Sequence, residues 1–108
     1  MSIPLFDLQG ETVAFVRHNG DTFLFNAKGS PIGWFAWQDD DVATWEGEYL
    51  GTVVGDRLLR KQSSGFRSSP GFPPNKPMAE SPPWNVPNPG RAGTSWGFED
   101  VPDRFLLG

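Results

Sequence analysis

The chain has 108 residues, no cysteine, one histidine and a net charge of −4. That length suits one domain, with no disulfide to staple it and none of the usual zinc ligand sets. Nine acids against five bases in residues 1–66, and four of each beyond, disfavour nucleic acid and anionic lipid heads as partners.

Two segments differ in composition. Residues 1–66 alternate apolar and polar side chains. Residues 67–108 hold nine of the eleven prolines and keep no periodicity. The reading is therefore a β domain over 1–66 and a proline-rich tail over 67–108. A core of roughly 60 residues is marginal, and an aromatic content of 14% offers the bulk to compensate.

In chain order, strands are predicted near residues 3–7, 12–17, 22–26, 31–37, 42–45, 49–54 and 57–61. Their β-branched and aromatic runs alternate with turn residues. An eighth strand is expected just after Gly65, in a degraded form of the motif. No stripe of helical period exceeds two turns before residue 66. Turns fall at His18-Asn19-Gly20-Asp21, Gln38-Asp39-Asp40-Asp41 and Gly55-Asp56.

A repeat organises these strands. Gly10, Gly29, Gly47 and Gly65 are 19, 18 and 18 residues apart. Each of the first three follows an aromatic and a polar residue: Phe6-Asp7, Phe25-Asn26 and Trp45-Glu46. Each precedes an aliphatic and a small residue: Val13-Ala14, Ile32-Gly33 and Leu50-Gly51. The unit is a β-hairpin whose glycine supplies positive φ. Asp7, Asn26 and Glu46 are expected to cap their own turns. Ala14, Gly33 and Gly51 are expected where neighbouring strands converge and leave no room for a side chain. The fold class that follows is all-β: a shallow, pseudo-symmetric antiparallel barrel of repeated hairpins with an irregular proline-rich C-terminal tail.

On these residues the chain resembles the 4-fold β-flower family. The resemblance runs over about residues 3–66, through Leu5-Phe6-Asp7, Phe25-Asn26 and Trp45-Glu46-Gly47 with their aliphatic–small endings, and extends to the proline-rich tail. It implies a shallow symmetric barrel and supplies no catalytic residues. The chain departs from the pattern at Arg60-Lys61-Gln62-Ser63-Ser64-Gly65, so closure of the fourth unit would need the tail.

No nucleotide loop, catalytic triad or metal spacing is present. His18 reads as a solvated turn residue, and Asp39-Asp40-Asp41 as a hairpin tip without calcium-loop spacing. The expectation is a non-enzyme with no cofactor and no metal. No basic-then-apolar leader opens the chain, and no apolar run approaches the roughly 20 residues of a membrane span, so a cytoplasmic protein is expected. The candidate contact surface is aromatic: Trp34, Phe35, Trp37, Trp45 and Tyr49 in the barrel, with Trp84, Trp96 and Phe105 in the tail. The leading expectation is a binding or scaffold module that contacts itself or a protein partner. The alternatives are a domain for lipid or a neutral apolar ligand, with Trp37 and Trp45 near the contact, and an accessory or immunity-type protein that recognises one partner. The end of the tail is expected to dock on its own barrel or on a second copy.

Overall fold

A computed structural model describes residues 2–62, 67–93 and 96–107. Seven strands follow in order: β1 (Ile3–Phe6), β2 (Thr12–Val16), β3 (Phe23–Asn26), β4 (Pro31–Trp34), β5 (Asp41–Ala43), β6 (Tyr49–Val54) and β7 (Arg57–Lys61). Each pairs antiparallel with the next. A bridge from Phe6 of β1 to Arg57 of β7 closes the seven into a barrel, with the Phe6 N–H donating to the Asp56 carbonyl at 2.9 Å. The tail adds β8 (Phe98–Asp100) beside β7 and one helical turn, α1 (Asp103–Leu106). The residues just after Gly65 are not strand from 67 on, and 63–66 lie outside the described residues, so the eighth strand comes from some thirty residues further along the chain.

The repeat is built by its turns. Asp7 accepts the N–H groups of Gln9 and Glu11 at 2.9 Å. Asn26 accepts those of Lys28 and Ser30 at 2.9 and 3.0 Å. In the third unit the cap is Thr44, whose hydroxyl accepts the Glu48 N–H at 3.1 Å, and not Glu46. Alignment on the aromatic residue displaces this unit by two. The backbone shows the true register: the N–H of Gly10, Gly29 and Gly47 donates to the carbonyl of Asp7, Asn26 and Thr44 respectively. All three glycines have φ between +86° and +94°, a conformation costly for a residue with a Cβ.

Each unit also carries a β-bulge at the same place, between Leu5 and Phe6, Leu24 and Phe25, and Val42 and Ala43. Bulges bend a strand and increase its twist, and three in equivalent positions curl the sheet toward closure. Inside lie Leu5, Leu24, Val42 and Leu58, all at most 2% exposed. Opposite the first three stand Ala14, Gly33 and Gly51. A Cβ on Gly33 would lie 2.5 Å from the Ala43 carbonyl oxygen, and one on Gly51 would lie 2.8 Å from that of Leu59. The next strand's backbone fills the space, which is why these positions are small.

The register gives the fourth unit its identity. Phe25, Ala43 and Leu59 pair with Phe15, Trp34 and Thr52 in turn. Arg60 therefore stands where Asp7, Asn26 and Thr44 cap their turns. The β7 edge beyond β6 is shared: Arg57 meets β1, and Leu59–Lys61 meet β8.

The tail wraps one end of the barrel. Pro70 packs 3.5 Å from the Cβ position of Gly47. The Glu80 N–H donates to the Gly29 carbonyl at 2.9 Å, and the Ala92 N–H to that of Leu8 at 2.8 Å. The chain thus passes the three turn glycines in reverse order, Gly47, Gly29 and Gly10, before β8 inserts. Its end supplies core: Val101 and Phe105 are 6% and 7% exposed and pack in the same cluster as Leu24 and Leu50. No helix is long and apolar enough to cross a membrane among the described residues.

Candidate functional site at the barrel mouth

Consecutive antiparallel hairpins send their connections to alternate ends. The Gly10, Gly29 and Gly47 turns occupy one end, which the tail and Phe105 cover. The β2–β3, β4–β5 and β6–β7 connections occupy the other end, and there the barrel opens. A cavity of about 480 Å³ lies in this mouth, a size typical of small-molecule sites. Its floor is Ile3 and Leu5 of β1, Val16 of β2, Val53 of β6 and Phe35 just after β4. Its rim is polar, with Asn19, Asp21, Thr22, Gln38, Asp39 and Asp40. No lysine or arginine lines it among the described residues.

Two buried carboxylates, Asp21 and Asp41, fix the rim. Asp21 is 6% exposed and accepts two hydrogen bonds from the Arg17 guanidinium, at 2.9 Å from Nε and 2.8 Å from Nη2. It also accepts the backbone N–H groups of Arg17 and Phe23 at 2.9 and 3.2 Å. Burial pushes this carboxyl up, but the four hydrogen bonds and the adjacent positive charge outweigh it and hold the group at about 2. The Arg17 guanidinium in turn lies over the rings of Phe25 and Phe23, 5.2 and 5.6 Å from their centroids. The loop is thereby locked from His18 to Asp21, and His18 points out to solvent with Nδ1 3.1 Å from the Asn19 carbonyl.

The second rim loop is held by Asp41. It is 4% exposed and accepts from the Thr52 hydroxyl at 2.7 Å, from Lys61 Nζ at 3.5 Å and from Arg67. Burial again opposes ionisation, and the Thr52, Arg67 and Lys61 contacts overcome it, so this carboxyl is also lowered. Asp39 caps the Asp41 N–H at 2.9 Å and meets Arg67 at 3.1 Å, the same service Asp21 gives Phe23. The Asp39 and Asp41 side chains are thus spent on loop structure, and no group of three or more His, Cys, Asp or Glu is placed to hold a metal among the described residues. Gln38, beside it, has φ of +59°, an uncommon conformation for a side-chain-bearing residue.

Of the barrel aromatics read as a contact surface, only Phe35 reaches the cavity. Trp37 lies under the Arg67 guanidinium, 4.4 Å from its ring centroid, and donates its indole N–H to the Ser68 carbonyl at 3.1 Å. Trp45 packs on Phe23 at 6.1 Å and donates to the Pro31 carbonyl at 3.4 Å. Tyr49 bonds Thr52 at 2.6 Å and accepts the Lys61 N–H at 3.1 Å. Trp34 is half-buried with its indole nitrogen unpartnered among the described residues. Phe105 is core at the opposite end. Trp84 and Trp96 stand out, 85% and 86% exposed. The floor residues Ile3, Val16 and Val53 were legible only as alternate positions of strands, a signal that does not distinguish a filled bore from an open one. Compared with known proteins, the chain matches no family model, no curated protein and no solved structure.

Proposed function

We propose that this chain is a non-enzymatic binding module, a β-flower-like barrel whose open mouth takes a neutral, apolar small molecule. The observation that carries the reading is the mouth cavity: an aliphatic and phenyl floor, a rim of amides, a hydroxyl and carboxylates, and no lysine or arginine in the lining among the described residues. Burial of apolar surface favours an apolar ligand body at about 25 cal/mol per Å². The carboxylate of Asp40, which stands outside both ion-pair networks, repels anionic ligands, so an alcohol or ester fits better than a fatty acid.

Titration of the full chain with a neutral solvatochromic dye tests this. Saturable binding is expected, competed by dodecanol and much less by dodecanoate. Val53→Trp, which fills the floor, is expected to abolish it while leaving the β circular dichroism intact. Unchanged dye emission with the wild-type chain refutes the reading.

A second reading rests on a separate observation. Phe72, Met78, Trp84 and Trp96 are 98%, 87%, 85% and 86% exposed, and all lie on the tail. Such side chains on a held strap are suited to protein contact. Sedimentation of the wild type against a Phe72→Ser/Met78→Ser/Trp84→Ser variant tests for self-contact through them. Identical monomeric behaviour of both at all concentrations removes self-contact from this reading.

A further inference from the structure

The barrel end opposite the mouth has the parts of a peptide-recognition groove, and the chain's own C-terminus occupies it. The β7 edge from Leu59 to Lys61 pairs with Phe98–Asp100. Val101 sits over Gly51, its Cγ2 3.0 Å from where a Cβ would stand. Phe105 lies under the Arg60 guanidinium, with 4.6 Å from the carbon to the ring centroid. Asn26 Nδ2 donates to the Leu106 carbonyl at 2.9 Å. A free strand edge, two apolar seats and an amide reading a main-chain carbonyl are the elements by which extended segments are captured.

The connection that delivers this segment is far longer than the geometry requires. The Gln62 N–H donates to the Gly97 carbonyl at 2.8 Å, so the two ends of the excursion touch. A two-residue hairpin turn would join β7 to β8. Instead some 34 residues leave and return, at up to about 3.4 Å per residue when extended. On the way the strap is held at Glu80 to Gly29 and at Ala92 to Leu8, so exchange also releases these contacts, and the freed span then exceeds the 36 Å largest dimension of the molecule. The inserted piece is small, one three-residue strand and one helical turn. Short elements with few buried residues open at low free-energy cost.

We propose that the groove also accepts the Phe98–Leu106 segment of a second copy of this chain, giving a dimer by reciprocal exchange. Every groove contact above is then remade between copies. The closed and exchanged forms differ in tether entropy, in the strap contacts released and in the cost of association, and concentration shifts the balance between them. Once released from the barrel, a tether of this length holds its own segment at an effective concentration in the millimolar range, and this sets where exchange becomes significant.

The absence of cysteine allows a direct trap. Lys61 and Phe98 are cross-strand partners. The full chain with Lys61→Cys and Phe98→Cys, oxidised at about 10 µM, is expected to give an internally bridged monomer. Oxidised after incubation at about 1 mM, in the range set by the tether, it is expected to give a covalent dimer. The single Lys61→Cys variant controls for random collision. A second measurement leaves the groove untouched: full chains labelled at Ser2→Cys with donor or acceptor dyes, mixed at both concentrations. Energy transfer is expected to grow slowly at the higher concentration and to outlast dilution. Bridged monomer alone at 1 mM, or transfer that appears at once and vanishes on dilution, overturns the proposal.

Discussion

Replacement of Asp21 by Asn removes one charge and little volume, and its effect can be worked from the geometry of the mouth. In the native chain this carboxyl is held at about 2, against an ordinary value of 3.8. The folded state therefore binds the proton more weakly than the unfolded chain. A depressed carboxyl contributes its stability above its unfolded value, and loses that contribution as pH falls toward its folded one. The difference corresponds to roughly 2 kcal/mol at neutral pH. It is a fair conversion because the side chain is only 1% exposed. Asp21→Asn should lower unfolding free energy by about that amount at pH 7, measured by urea denaturation. The loss should shrink between pH 4 and pH 2, where the wild-type carboxyl itself becomes neutral. Asp41 titrates in both proteins, so its contribution cancels in the difference. A deficit that stays constant from pH 7 to pH 2 would show that packing, and not the Arg17 ion pair, sets the cost, and would refute the reasoning.

Further outcomes follow from the backbone. Gly51→Ala and Gly33→Ala each set a Cβ against a neighbouring strand's carbonyl, and each should cost about 1–3 kcal/mol in thermal or urea unfolding, as overpacking does. Gly20 and Gly29 share positive φ, but only Gly29 meets the tail, at the Glu80 carbonyl, while Gly20 has open space around it. Both alanine variants should pay the left-handed penalty of about 1–2 kcal/mol, and any excess at Gly29 measures how tightly the tail is held. Proteolysis under native conditions should accelerate in the tail of Gly29→Ala and remain unchanged in Gly20→Ala. Thr44→Ala should destabilise by about 1 kcal/mol through loss of its cap, whereas Glu46→Ala, with an exposed side chain, should stay within about 0.5 kcal/mol of the wild type.

The seven barrel strands could be read from the sequence because each carries its own local signal. Glycine-marked turns and alternating apolar residues reappear at nearly constant spacing, and the small residues Gly33 and Gly51 mark the convergence. Thr44 was passed over because Trp45-Glu46 imitates the aromatic–acid pair of Phe6-Asp7 while standing two places late; only the hydrogen bonds of the turn separate them. β8 was invisible for a different reason. Three residues, Phe98-Glu99-Asp100, have too little length to show a period, and their partner strand lies about 38 residues earlier. The mouth site was least legible of all. Whether Val16 and Val53 meet another side chain or an empty bore depends on how far the Asp21 and Asp41 networks hold the loops apart, and that spacing has no trace in the order of residues.

The tail resolves the difficulty that a small chain without disulfides faces. Four inward aliphatic residues fill a narrow bore, but Phe15 and Phe25, stacked at 5.3 Å and fully buried, lie on the opposite face by strand alternation. A single closed sheet leaves that face in water. Here Arg17 covers part of it through its rings, and the same arginine is fixed by Asp21 at the mouth. At the far end Phe105, Val101 and the Asn26–Leu106 hydrogen bond cap the bore. One end of the barrel is thus sealed by the chain's own terminus, and the other is held open by buried carboxylates. The stopper itself, from Phe98 to Leu106, lines no part of the mouth, and the Arg67 that holds Asp39 and Asp41 stands some thirty residues before it, so the stopper can leave while Arg67 stays in place. Mouth binding should therefore be unaffected by exchange of the C-terminal segment, and dye affinity measured on the cross-linked dimer should equal that of the cross-linked monomer.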